Sequence, residues 1–158
     1  MKRLLIAGAG YLGQALAERL AAKGATDLWM LRRSETESPF GKTIAGDVSD
    51  KSQVAKRPDV DAIYYAIAAD GPSDEAYEQA YHQGVKNLLE RYAGQCPHFY
   101  FASSTSVYSE ADGGLVREDA PRVQVGPSRF MVQGEELLLQ SGFPGALLRY
   151  GGLYGPGR

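Results

Sequence analysis

Three closely spaced glycines, Gly8, Gly10 and Gly13, follow a short apolar run near the start of the chain. The run RLLIAGAG predicts a buried strand, and YLGQALAERLAAKG predicts a helix that begins directly after the turn. In this context Gly8 permits a tight turn, Gly10 leaves room for a pyrophosphate, and Gly13 lets the helix pack closely on the strand. The pattern therefore predicts a phosphate-binding turn, and the alternative is a glycine-rich turn without a ligand.

The rest of the chain alternates short apolar segments with longer amphipathic ones. Five further strands are predicted, at DLWMLRR, KTIAGD, DAIYYAIAAD, HFYFASS and GALLRYGG. Two further long helices are predicted, at SDEAYEQAYHQGVKNLLERYAGQ with Ser73 as its N-cap, and at PSRFMVQGEELLLQSG. This alternation is typical of a parallel sheet with helices on both faces. We predict one α/β domain over residues 1–158, a doubly wound Rossmann-type sheet with strand order 3-2-1-4-5-6.

Composition excludes several classes of partner. The net charge is −2 and no basic run is present, which argues against nucleic acid and anionic membranes. No segment reaches the roughly 18 apolar residues of a membrane span. Cys96 is the only cysteine and the two histidines form no ligand pattern, so neither an internal disulfide nor a metal site is predicted. The cytoplasm is the expected location.

Two adjacent arginines follow the second predicted strand. NAD-binding folds usually place an acidic residue there to bind the ribose 2′-hydroxyl, but this chain has Arg32 and Arg33. Guanidinium groups suit a 2′-phosphate, which favours NADP(H) over NAD(H). The alternative is that both are solvated charges. Asp47, after the third strand, could accept from an adenine amino group or form an Asx turn.

Six segments resemble motifs of the extended short-chain dehydrogenase/reductases, the NAD-dependent epimerase/dehydratase family. They are GAGYLGQALAERL, GDVSD, YYAIAAD, GVKNLLE, FASSTSVYS and LLRYGGLYGPGR, and together they span the whole chain. Ser109 stands where the family's fifth-strand motif has a glycine. The resemblance implies a Rossmann fold, a nicotinamide dinucleotide and a small carbonyl or sugar-like substrate.

The resemblance also implies roles for individual residues. Ser104 occupies the position of the serine that hydrogen-bonds the reacting oxygen of the substrate. Ser103, Thr105 and Ser106 are expected to serve the turn and packing, and the resemblance also puts Ser103 beside the cofactor. The implied cofactor-binding residues are Gly8, Gly10, Tyr11, Leu12, Gly13, Arg32, Arg33, Asp47, Val48, Ala66, Ala68 and Ser103.

The family's Tyr-x-x-x-Lys pair is missing from this sequence. Its two positions fall on Pro127 and Met131, and no lysine follows Lys86 anywhere in the chain. Such a pair performs general acid–base catalysis with a tuned phenol. Three interpretations remain: catalysis by other groups, with Tyr108 and Arg129 as the nearest; a catalytically silent dinucleotide-binding sensor or scaffold; or a substrate that supplies its own acid.

Other expectations concern two glutamates of the last helix, the length of the domain and its association. Glu135 and Glu136 are expected on the outer face of the last helix. The chain stops where the family continues into a substrate domain, so we expect a truncated Rossmann domain with an open site. Association of two copies through the helix that begins after Ser73 is a further expectation.

No G-x-S-x-G elbow is present, which excludes serine-hydrolase chemistry.

Overall fold

Six parallel strands form one sheet in the order β3-β2-β1-β4-β5-β6. The computed structural model of the protein describes residues 3–34 and 36–155. The predicted Rossmann-type sheet and its strand order are confirmed. The strands are β1 (Leu4–Ala7), β2 (Leu28–Arg32), β3 (Lys42–Ala45), β4 (Ala62–Tyr65), β5 (His98–Ser104) and β6 (Gly145–Tyr150).

Both faces of the sheet carry helices, as predicted. One core packs α1 against Ile6, Met30 and Tyr64, and a larger core on the other face contains Phe99, Phe101 and apolar residues of the later helices. The helices are α1 (Tyr11–Ala22), α2 (Lys51–Val54), α3 (Asp74–Tyr77), α4 (Gly84–Tyr92) and α5 (Ser128–Gln140). No helix within the described residues is long and apolar enough to cross a membrane.

The long helix predicted after Ser73 contains a π-helical turn. Ser73 caps it, since its hydroxyl accepts from the Ala76 N–H at 3.2 Å. Helices α3 and α4 are joined without a break by six π-helical residues, Glu78–Gln83. The phenol of Tyr65, fully buried in β4, donates to the Ala80 carbonyl inside this turn. A strand side chain thus bonds a carbonyl of the irregular segment.

The π-helical turn also packs closely against α5. A Cβ placed on Gly134 would lie 2.1 Å from the Tyr81 carbonyl oxygen. That distance is far below any real Cβ contact, so the two helices approach each other only because residue 134 is glycine. The packing brings α5 toward the carboxyl ends of the strands.

We expect Gly134→Ala to lower the free energy of unfolding by about 1–3 kcal/mol, because backbone must move to admit the methyl group. Gly94→Ala is the matched control, since a Cβ at Gly94 meets no atom within 4 Å. Urea unfolding of both variants measures the difference. Equal stability of the two variants would contradict the close approach.

Candidate functional site

A cleft of about 1170 Å³ opens at the carboxyl ends of the strands. Residues at the carboxyl end of each of the six strands, or just after it, line the cleft, as expected for ligand sites of open parallel sheets. It brings together Ser104 and every predicted cofactor residue except Gly13. A Cβ on Gly13 would lie 2.2 Å from the Gly8 carbonyl oxygen, so Gly13 serves the close packing of α1 on the turn.

The glycine turn forms an open cradle at the N-terminus of α1. Gly8 has φ +101°, and a Cβ there would lie 2.5 Å from the Ala66 carbonyl group, so this position requires glycine. By contrast, a Cβ on Gly10 would meet nothing within 4 Å. The open space at Gly10 lies at the N-terminus of α1, where the backbone N–H groups of a helix's first turn and the positive end of the helix dipole favour an anion. The turn therefore has the shape and the donors that a pyrophosphate requires.

The two predicted arginines differ in their surroundings. The Nε of Arg32 is buried and has no hydrogen-bond partner among the described residues. Arg33 instead donates from both Nη atoms to the two carboxylate oxygens of Asp70. This contact raises the pKa of Arg33 and lowers that of Asp70. Both arginines and Asp70 line the cleft, so guanidinium and carboxylate groups meet at this end of it.

The loop after β3 is fixed by its own side chains and by α4. Asp47 Oδ1 accepts from the Ser49 N–H at 2.8 Å, which is the Asx turn that the sequence allowed. Asn87, 1% exposed, donates from Nδ2 to the carbonyl oxygens of Val48 and Ser49 at 2.8 and 2.9 Å. The loop is therefore held rigidly beside the cleft, with Asp47 and Val48 among its lining residues.

Ser104 and Ser103 point their hydroxyl groups at different partners. Ser104 Oγ accepts from the Ser106 N–H at 3.1 Å, and Ser104 lines the cleft. Ser103 Oγ donates to Glu135 at 2.6 Å in the buried interior. The hydroxyl of Ser103 is thus engaged in packing, whereas that of Ser104 still has a proton to donate.

The groups expected to substitute for the missing Tyr–Lys pair are engaged elsewhere. Pro127 precedes the first turn of α5, and Met131 lines the cleft with an apolar thioether. Arg129 donates to Asp74 at 2.6 Å, and the Tyr108 hydroxyl accepts from Arg149 at 2.8 Å. Neither Arg129 nor Tyr108 lines the cleft.

The cleft is also lined by two tyrosines, Tyr81 and Tyr150, which the sequence analysis did not single out as site residues. The Tyr81 hydroxyl accepts from the Ala69 N–H at 3.3 Å, and burial raises the pKa of Tyr81. Tyr150 pairs in register with Ser104, and its hydroxyl lies 3.1 Å from that of Tyr64. The raised pKa keeps the Tyr81 phenol in its protonated form at neutral pH.

The expectation for Glu135 is wrong, because its carboxylate is fully buried. Glu135 Oε1 accepts from Ser103 and from Arg149 Nε at 2.9 Å, and Oε2 accepts from Arg149 Nη2 at 2.7 Å. Arg122 lies 3.6 Å away. Arg149 also donates to the Glu118 carbonyl and to Tyr108, so one ionic cluster joins α5, β5, β6 and the loop of residues 109–126. Glu136 does lie on the outer face, beside Arg122.

A sequence signal for this cluster existed in the helical spacing. Glu135 lies four residues after the buried Met131 and three before the buried Leu138, so it shares the inward stripe of α5. Arg149 interrupts an otherwise apolar strand. A charge on a buried helix face and an opposite charge within an otherwise apolar strand are each expected to have a partner, and each can be the partner of the other.

Comparison with known proteins agrees with this geometry. The model of the NAD dependent epimerase/dehydratase family matches residues 4–158, and the chain belongs to that family. Protein YeeZ of Escherichia coli K12 is 34% identical over 176 aligned residues, covering 100% of this chain and 61% of YeeZ. The chain therefore spans about three-fifths of the length of this curated relative.

Solved structures share the fold. A Methylobacillus flagellatus protein, described as a candidate NAD-dependent epimerase/dehydratase, has a TM-score of 0.80 and 33% identity, covering 99% of this chain and 56% of its own. UDP-glucuronic acid 4-epimerase of Bacillus cereus, solved with NAD, has a TM-score of 0.80 at 23% identity, covering 99% of this chain and 58% of its own. The fold is thus the NAD(P)-binding Rossmann fold of this family.

We expect Glu135→Gln to lower the free energy of unfolding by about 3 kcal/mol, because Arg149 would remain buried without its counter-charge. Glu136→Gln is the matched control, because Glu136 is half exposed and bonds Arg122 at 3.3 Å. The control should change stability by less than about 0.5 kcal/mol. Chemical denaturation measures both, and a Glu135→Gln variant as stable as the control would contradict the role of the buried pair.

Proposed function

We propose that the protein binds NADP(H) in the cleft and uses it for hydride transfer to or from a small carbonyl or sugar-like substrate. The unfilled cradle above Gly10, at the N-terminus of α1, carries the dinucleotide part of the proposal. The guanidinium groups of Arg32 and Arg33, both in the lining of the cleft, support the choice of NADP(H), since a 2′-phosphate would supply acceptors for them. When bound, the nicotinamide supplies or accepts the hydride.

The remaining steps belong to side chains of this chain. Ser104 would donate its hydroxyl proton to the reacting oxygen of the substrate and orient it. The Tyr–Lys pair is absent, so the transferred proton would come from Tyr81, from Tyr150 or from the substrate itself. The lysine that would assist such a phenol is absent as well, and burial raises the pKa of Tyr81, so we expect low turnover.

A second function is a dinucleotide-binding sensor or scaffold without turnover. Met131 favours it, because a thioether at the position of the family's lysine can neither move a proton nor lower a phenol pKa. NADPH consumption across a panel of aldehydes, ketones and nucleotide sugars separates the two functions. Tight NADPH binding with no consumption would favour the sensor.

We expect NADPH to bind at least about tenfold more tightly than NADH, because charge-assisted hydrogen bonds to a 2′-phosphate are strong. Calorimetric titration of the purified chain with each dinucleotide measures this. Equal affinities would contradict the role of the arginine pair.

We expect Gly10→Val to reduce the affinity for both dinucleotides by more than about 50-fold, because the side chain would fill the cradle that the pyrophosphate needs. The substitution should leave the melting temperature nearly unchanged, since Gly10 has φ −85° and ψ −156° and open space around it. Gly94→Val, at an open glycine outside the cleft, is the control for the added bulk. Retained binding by Gly10→Val would place the dinucleotide elsewhere.

A further inference from the structure

One ion pair, between Arg33 and Asp70, joins the loops that follow β2 and β4 at the cleft. Arg33 follows β2 and Asp70 follows β4, and these strands flank β1, from which the glycine turn extends. Both residues line the cleft, and their side chains are 62% and 60% exposed. The ion pair therefore spans the strand that carries the phosphate turn, on the solvent side of the site.

The geometry of this pair uses the donors that a 2′-phosphate would need. Both Nη atoms of Arg33 are directed at the carboxylate of Asp70 in a two-pronged contact. A phosphate monoester takes the same fork geometry, so it competes with Asp70 for Arg33. Asp70 would also repel the phosphate, because two anions would then share one guanidinium.

We propose that Asp70 is a specificity-determining residue that competes with the 2′-phosphate for Arg33 and so lowers the preference of the site for NADP(H). The inference rests on the proposed function, since it concerns the same dinucleotide site. Arg33 becomes available to a phosphate only when Asp70 releases it. Because NADP(H) must first displace Asp70 from Arg33, its apparent affinity for the site is lower than it would be without Asp70.

The ion pair between Arg33 and Asp70 contributes little to the stability of the fold. Ion pairs between side chains this exposed contribute little to folding stability, because water screens them and holding both chains costs entropy. Replacement of Asp70 should therefore leave the fold intact. The effect on binding is specific to the 2′-phosphate, because NAD(H) carries no group that needs the Arg33 fork at this position.

The test compares Asp70→Asn with Asp59→Asn in the full chain. Asp59 also accepts from an arginine, Arg91 Nη2 at 2.8 Å, but it precedes β4 and lies outside the cleft. Both substitutions remove one negative charge and one ion pair. Calorimetric titration with NADP⁺ and NAD⁺ should show Asp70→Asn binding NADP⁺ about fivefold more tightly than wild type, with NAD⁺ affinity unchanged within about twofold. Asp59→Asn should change neither affinity by more than about twofold.

The outcomes distinguish this inference from the proposed cofactor. If wild type prefers NADP⁺ and Asp70→Asn leaves that preference unchanged, the inference on Asp70 is overturned while the cofactor proposal stands. If wild type shows no preference, the cofactor proposal fails; a preference gained in Asp70→Asn would then still support the competition, and none gained would overturn it. A loss of NAD⁺ affinity in Asp70→Asn would show that Asp70 binds the dinucleotide directly, which also overturns the inference.

Discussion

The buried carboxylate of Glu135 determines how the carboxyl edge of the sheet is assembled. It joins α5 to Ser103 in β5 and to Arg149 in β6, and Arg149 reaches on to the loop of residues 109–126. A buried charge is costly unless every partner is in place, so these segments must keep one arrangement. Ser104 and Tyr150 directly follow Ser103 and Arg149 in sequence, so the ionic cluster below them positions the residues that line the cleft.

The two ends of the cleft are built by different means. The end that is proposed to bind the dinucleotide is shaped by backbone, namely the turn at Gly8 and Gly10 and the loop that Asn87 holds. At the other end the proposed chemistry depends on side chains, and the family resemblance puts the positions of the Tyr–Lys pair on Pro127 and on Met131, which lines the cleft. Binding and chemistry are therefore separable in this fold, because each draws on its own set of residues.

Features that depend on local sequence were predictable, and features that depend on distant partners were not. The alternation of strands and helices, the Ser73 cap and the glycine turn follow from periodicity, from capping and from backbone sterics. The burial of Glu135 depends on Arg149 in another element, so a surface position was the wrong expectation despite the helical spacing. Likewise, the contact between Arg33 and Asp70 joins loops that only the assembled sheet brings together.

The π-helical turn sets the rotational phase of the long helix. Its six residues separate Ser73 and Asp74, at one end, from Asn87, which bonds the loop after β3, at the other. Each residue of an α-helix advances its faces by about 100°, and a π-helical turn takes up about one extra residue for the same rotation. A regular α-helix that kept all the residues of this segment would therefore swing Asn87 away from that loop, and the bond from Tyr65 to Ala80 opposes this rearrangement. The irregular turn thus absorbs one extra residue while it keeps two helix faces aligned with two separate docking partners.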